Sequence, residues 1–278
     1  MVKKRITDLY KSISGTLEYN IGHFHYPSDE LIVLCMHSTP LDQMNNFSSL
    51  YDFLSKHFKP IGPQDLERYY NGEMKDGPYL LFTFDDGLLN NLHVANWLAK
   101  KKVGAYFFLV PDFIKSSESI SYYRKNIRQV IDSSFDRLPE DFSAMESADI
   151  RGLLDMGHQI GSHTYTHLLR AGMSEQDQAF EIIESAKYLE AEFGRSIKAF
   201  CSPINTLISV DAVGKKIIDE RYQYHFTTFP GMNSRMKNPQ LICRRNIEVN
   251  WSKGKISFAL GQWDLPRWQS GIARHLAL

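Results

Sequence analysis

Two short segments of this 278-residue chain carry side chains whose types and spacing could do chemistry. The first is Thr83-Phe84-Asp85-Asp86-Gly87, directly after the apolar run Tyr79–Phe82. Adjacent carboxylates at the end of a strand repel each other, and a cation or a shared proton relieves the repulsion. The glycine lets the chain turn sharply, so that both carboxylates can face one opening. The second segment is His163-Thr164-Tyr165-Thr166-His167. Two imidazoles four residues apart lie on one face of a helical turn and can grip a single metal ion. Neither segment is specific alone. Asp86 capping a helix, with Asp85 in solvent, accounts for the first equally well. Ten histidines in a chain of this length give a chance pair at this spacing about 0.3 times. Taken together they say more. Two histidines and one aspartate make a three-ligand site with an open position, and the second aspartate is left over as a base. A metalloprotease His-Glu-x-x-His motif carries its base between the histidines; position 164 is threonine, so here the base must come from elsewhere.

The elements that must position these groups follow from periodicity. Short β-rich runs fall at Ile32–Met36, Tyr79–Phe84, Ala105–Val110, His158–Ser162, Lys198–Cys201, Tyr224–Phe229 and Leu241–Val249. Apolar stripes at helical spacing lie between them: Met44, Phe47, Leu50, Leu54 and Phe58; Leu88, Leu92, Ala95 and Leu98; Phe180, Ile183, Ala186, Leu189 and Phe193. A shorter helix is expected over Ala148–Met156, ending at Gly157. Ser174 with Asp177 three residues on opens the third long stripe with a capping-box spacing, and Gly194 closes it. Seven strands alternating with helices predict an α/β fold with a mostly parallel sheet. No glycine-rich phosphate loop follows any strand, which favours a barrel with its site at the carboxyl ends of the strands.

Composition bounds the rest. Thirty-two basic residues balance thirty-two acidic ones, so no global charge draws the chain to nucleic acid or an anionic membrane. The longest apolar run is too short to span a bilayer. The basic N-terminus lacks the apolar segment of a signal peptide, so the expected setting is cytoplasmic. Cys35, Cys201 and Cys243 are sparse and odd in number, hence buried thiols and not a disulfide framework. The expected organisation is one barrel domain over residues 1–278, with a polar excursion near 112–146 and an aromatic C-terminal extension over 251–278. That extension could serve as an oligomer interface.

At these residues the chain resembles the polysaccharide deacetylases, the chitin, peptidoglycan and poly-N-acetylglucosamine deacetylase-like carbohydrate esterases. The resemblance rests on the Thr-Phe-Asp-Asp-Gly run, the block Gly157–His167, and Glu184-Ser185-Ala186-Lys187-Tyr188-Leu189-Glu190, and it extends from about Leu31 to Val249. It implies a distorted (β/α)7 barrel. It also implies a divalent metal, Zn2+ by ligand type, on Asp86, His163 and His167, with Asp85 as general base. The activity implied is removal of an acetyl group from an N-acetylated sugar, in cytoplasmic steps of surface-polysaccharide or glycoconjugate biosynthesis. Ile204, after Pro203, matches the position whose backbone N–H meets the tetrahedral oxyanion.

The chain departs from the family pattern at two places. The third motif reads Phe200-Cys201-Ser202-Pro203-Ile204-Asn205 and lacks the arginine that orients the base. Arg244 or Arg245, adjacent on the last strand and so on opposite faces, is the expected replacement. The late histidine that supplies the acid is also missing. His37, closing the first strand, is the expected substitute, with His225 as the alternative. Two other readings stay open at this level: a silent barrel that binds a sugar, and a deformylase acting on a sugar amide. Tyr165 and Trp251 are candidates for stacking on a sugar ring.

Overall fold

The structure is a computed structural model and describes residues 26–127 and 142–261. Eight strands form one sheet, and every paired strand is parallel to its neighbour. They are β1 (Leu31–Met36), β2 (Lys59–Pro60), β3 (Tyr79–Phe84), β4 (Ala105–Leu109), β5 (Gln159–Ser162), β6 (Ala199–Cys201), β7 (Tyr224–Phe226) and β8 (Arg245–Asn246). The order is β7-β6-β5-β4-β3-β1-β8, with β2 bonded to the start of β3. Each of the seven expected strands overlaps an observed one, although the last two are shorter than expected. β2 is the addition, two residues ending in a proline and too short to leave a pattern.

The expected strand Leu241–Val249 is broken, and the reason is topological. Ile242 bridges to Phe226 of β7, whereas Arg245 and Asn246 pair with Leu34 and Cys35 of β1. One segment therefore changes partner as it crosses from one sheet edge to the other. It curls the sheet shut into a distorted (β/α)7 barrel, and no long ladder can form along it.

Alternation along each strand sorts its side chains between two apolar layers. Leu31 and Val33, Tyr79 and Leu81, Tyr106 and Phe108, Ala199 and Cys201, and Tyr224 and Phe226 fill the barrel. Their neighbours Ile32, Leu34, Met36, Leu80, Phe82, Phe84, Phe107 and Phe200 pack outward against helices that include Met44–Leu54, Asn91–Lys100 and Ser147–Asp155. Gly161 falls on the inner face of β5, where an added Cβ would lie 2.5 Å from the Phe108 ring. Its absent side chain is what lets Phe108 enter the barrel.

One expectation needs correcting. The helix from Glu175 to Phe193 contains a π-helical stretch, Phe180–Glu184, with i→i+5 bonding. The extra residue in that turn shifts the helical face. Phe180, expected in the core, is 45% exposed, while Glu181, Ile182 and Ser185 are buried instead. The polar run after Val110 is largely helical as far as Ile127. Helices Pro111–Lys115 and Ser119–Tyr122 and a π-turn at Tyr123–Ile127 pack Phe113, Tyr123 and Ile127 against Leu88 and Val110. Residues 128–141 of that run lie outside the described residues, as do 262–278 of the C-terminal extension. The described part of the extension is helix Lys253–Leu260, with Trp251 packed on the outer core layer and Lys255 over its ring at 4.1 Å. Trp251 is therefore spoken for by packing. Among the described residues, no helix is long and apolar enough to cross a membrane.

Candidate active site

The register that buries Tyr79, Leu81 and Thr83 inside the barrel carries on past the end of β3 and puts Asp85 on the inner face at its mouth. Arg244 meets it there. It shares the parity of Ile242, which faces the barrel interior. Its Nη1 donates to Asp85 Oδ1 at 2.7 Å and its Nη2 to Asp85 Oδ2 at 2.9 Å, a two-pronged pair with both partners buried. The remaining donors of Arg244 go to Thr227 O (2.9 Å), Thr83 Oγ1 (3.0 Å) and Cys201 Sγ (2.9 Å), so the guanidinium is held on several sides. Burial by itself would push the Asp85 carboxyl up. Arg244, then His163 and His37, outweigh it and hold Asp85 below the usual carboxylate range. Arg245 points to the opposite face, where Nη2 donates to Gly231 O at 3.4 Å. Of the two expected replacements, Arg244 is the one that reaches Asp85.

Asp86 adopts φ 78°, in the left-handed region, and turns its carboxylate away from Arg244 toward the two imidazoles. Asp86 Oδ1 lies 3.6 Å from His163 Nε2 and 3.7 Å from His167 Nε2. One ligand atom from each of the three residues fits within a mutual separation of 4.8 Å. Burial, partly offset by His37 and His163, raises the Asp86 pKa. Gly87 follows at φ 89°, and a Cβ there would meet Leu109 Cδ2 at 2.9 Å, so this turn requires glycine. Thr164 (67°), His167 (69°) and Ile204 (58°) are left-handed as well. Non-glycine residues held this way cost about 1–3 kcal/mol each and gather where function over-determines the backbone.

The donor set fits a divalent cation. His163 Nδ1 donates to Cys201 O at 2.9 Å, which fixes the tautomer and leaves Nε2 with its lone pair toward Asp86. Asp86 Oδ2 is buried with no hydrogen-bond partner among the described residues. Burial, and after it the neighbouring His163, push His167 well below its ordinary pKa, which suits an imidazole available to donate a lone pair. Metal–ligand bonds of about 2.1 Å in tetrahedral array separate ligand atoms by roughly 3.4 Å, close to the spacings found.

A cavity of about 310 Å³ opens over these groups, lined among others by Cys35, His37, Asp86, His167, Ile204, Arg244 and Asn246. His37 stands at its wall with Nδ1 3.4 Å from Glu248 Oε1. Burial would lower the imidazole pKa, but Glu248, Asp86 and Asp85 together raise it to about 9. His225 is elsewhere. It is fully buried, hydrogen-bonded to Ser202 Oγ at 2.7 Å, and lowered to about 3 by burial, Lys215 and Arg244. His158 supports the barrel: Nδ1 accepts from Ala105 N and Nε2 donates to Ala95 O. The Tyr165 ring is engaged within the protein: it packs on Phe180 at 4.7 Å and lies under the Lys115 ammonium, which sits 4.7 Å from the ring centroid and donates to the hydroxyl.

Sequence reasoning missed Glu248, although a signal was present. Ile242, Arg244, Asn246 and Glu248 share one parity, and that face borders the cavity. It also read Cys35 and Cys201 as ordinary core thiols. They are buried, but each lies against Asp85 Oδ2, at 3.4 and 3.6 Å.

Comparison with known proteins places this geometry. A sequence model described as polysaccharide deacetylase matches residues 72–213, which include the aspartate pair and the histidine pair. The chain belongs to this family. Solved structures share its fold. The Streptococcus pyogenes deacetylase PplD in complex with acetate aligns at 14% identity and TM-score 0.64, covering 84% of this chain and 98% of its own. IcaB from Ammonifex degensii aligns at 20% identity and TM-score 0.64, covering 85% and 100%. The deacetylase domain of BpsB from Bordetella bronchiseptica aligns at 17% identity and TM-score 0.62, covering 80% and 97%. Among curated proteins, none matches this chain. Family membership makes the chain a carbohydrate deacetylase, a hydrolase. In this chain the arginine beside the first aspartate comes from the last strand segment and not from the segment after β6.

Proposed function

We propose that this chain is a metal-dependent hydrolase that removes the acetyl group from an N-acetylated sugar, with Asp86, His163 and His167 holding the cation. What carries the reading is the division between the two adjacent carboxylates. Asp85 is locked and kept ionised by Arg244, whereas Asp86 has a buried oxygen to spare beside two imidazoles. Zinc suits one carboxylate and two imidazoles; cobalt, nickel and manganese are admitted by the same set. Such a cation supplies Lewis acidity to an acyl oxygen and lowers the pKa of water.

The chain's own residues account for the proton movements. Asp85 accepts the proton of the attacking water. The Ile204 backbone N–H donates to the oxygen that gains charge as the carbonyl becomes tetrahedral. His37, kept protonated by Glu248, returns a proton to the departing amine. The products are acetate and the free amino sugar, and both catalytic groups then regain their starting protonation by net transfer of one proton. The altered third motif was the support for a silent binder, and Arg244 supplies what that motif lacks. Cytoplasmic steps of surface-polysaccharide or glycoconjugate assembly are the proposed setting, tested by fractionating cells that express the full-length protein.

The decisive experiment combines metal analysis of the purified protein with product analysis on N-acetylated sugars. Wild type releases acetate and holds about one equivalent of metal. Asp85→Asn holds the same metal and loses about 10²–10⁴-fold in rate. Metal retained with no acetate from any sugar pool means a binder, and formate in place of acetate means a deformylase.

A further inference from the structure

The loop that carries both histidines does not hold its own shape. Thr164 and His167 are left-handed, and the hydrogen bond from His167 N to Thr164 Oγ1 (3.0 Å) is internal to the loop. The polar backbone of the two residues between is satisfied from outside. Tyr165 O accepts from Asp112 N at 3.0 Å, and Thr166 O accepts from the Tyr122 hydroxyl at 3.0 Å. The two N–H groups share one acceptor: Tyr165 N and Thr166 N both donate to Glu181 Oε2 at 3.0 Å. The second oxygen, Oε1, accepts from Thr166 Oγ1. Glu181 is 4% exposed, and three donors from one short loop converge on its carboxylate.

Glu181 stands within the π-helical stretch Phe180–Glu184. That stretch is the departure from regular helix that turns Glu181 inward and Phe180 outward. A regular helix here would be the cheaper structure, and π-turns recur where a helix must aim a particular side chain. The single carboxylate therefore sets the path of the backbone between His163 and His167, and with it the separation of the two imidazoles.

We infer that Glu181 is a positioning residue for the cation site: by tying Tyr165 N, Thr166 N and Thr166 Oγ1 to the helix, it holds the His163 and His167 imidazoles in ligating register. The inference rests on the reading of Asp86, His163 and His167 as ligands, and the test separates the two. Cation affinity is measured by competition with a chromogenic chelator on wild type, Glu181→Gln, Glu181→Ala and Thr166→Val. The visible spectrum of the Co2+-loaded proteins reports ligand geometry, and melting of the chelated proteins reports folding. Groups that hold a metal ligand in place typically contribute 10–100-fold in affinity. Glu181→Ala, which leaves two half-buried N–H groups without their acceptor, is expected to lose about that much and to change the Co2+ spectrum. Glu181→Gln keeps an oxygen for both N–H groups and an amide for Thr166 Oγ1, so it is expected to restore most of the affinity and the wild-type spectrum. Thr166→Val, which removes only the hydroxyl contact, is expected to fall between and stands in if Glu181→Ala does not fold.

Wild-type affinity and spectrum in both Glu181→Ala and Thr166→Val would overturn the inference, even if their chelated forms melt lower, because Glu181 would then be only a fold contact. Glu181→Gln as weak as Glu181→Ala would also overturn it, since charge and not hydrogen-bond geometry would be at work. If wild type itself binds no cation, the proposed function fails instead.

Discussion

Asp85 and Asp86 are chemically identical and adjacent, and their surroundings give them opposite duties. Asp85 continues the inward register of β3 and meets a guanidinium. Asp86 is twisted by its left-handed φ toward the two imidazoles. Replacing Arg244 by lysine keeps the charge but replaces a planar fork with a point donor. The expected result is kcat down by about 100-fold with KM and metal content little changed, read by steady-state kinetics on metal-replete protein. Arg244→Met should be harsher, destabilising the fold by about 3–5 kcal/mol in chemical denaturation, because Asp85 would remain buried without its partner. The His37–Glu248 pair gives a titration test. The His37 pKa is raised to about 9 in the folded chain, against about 6.5 unfolded. The pair's contribution to stability is therefore fully present below pH 6.5 and is lost as pH rises through about 9. In metal-free protein the NMR midpoint of His37 should lie near 9 and drop clearly in Glu248→Gln; a midpoint unmoved by that change would remove Glu248 from the site.

The helix Glu175–Phe193 shows how an element can defeat a pattern. Phe180 and Ile183 share the spacing of Ala186, Leu189 and Phe193, which reads as one apolar stripe. The π-turn breaks the 3.6-residue repeat, so the stripe before it and the stripe after it lie on different faces. Phe180→Ser should then cost no more than about 1 kcal/mol, the size of its ring contact with Tyr165. Ile182→Ala should cost about 2–5 kcal/mol, as for a core residue. Both are measured by urea denaturation, and the reverse order would restore the regular helix. The last strand gives the same lesson for sheets. Its alternation is legible over Leu241–Val249, but its hydrogen bonding is divided between β7 and β1 and only Arg245–Asn246 pairs as a strand.

For the molecule as a whole, two apolar layers, one inside the barrel and one beneath the helices, bear the fold, and the proposed cation site sits at the mouth between their ends. Asp86→Ala and His163→Ala should abolish tight metal binding yet leave far-UV circular dichroism and cooperative melting in place, because neither residue bridges the layers. Loss of the fold with the metal would make the site structural. The reach of sequence reasoning follows the same division. The strands, the parallel α/β class and the two motifs Asp85-Asp86 and His163/His167 at strand ends were legible, since burial of alternating and helical apolar patterns is a local property and each motif is compact in the chain. The resemblance to the polysaccharide deacetylases followed from them.

What the sequence alone determined was which residues were available and that a barrel would bring strand ends together. It ranked His37 above His225, but it could not choose between Arg244 and Arg245 or find Glu248 and Glu181. Those assignments turn on parity at a strand that changes partners and on one extra residue in a helical turn. Each is set by contacts between segments from roughly fifteen to more than a hundred and fifty residues apart, and such contacts exist only once the sheet has closed.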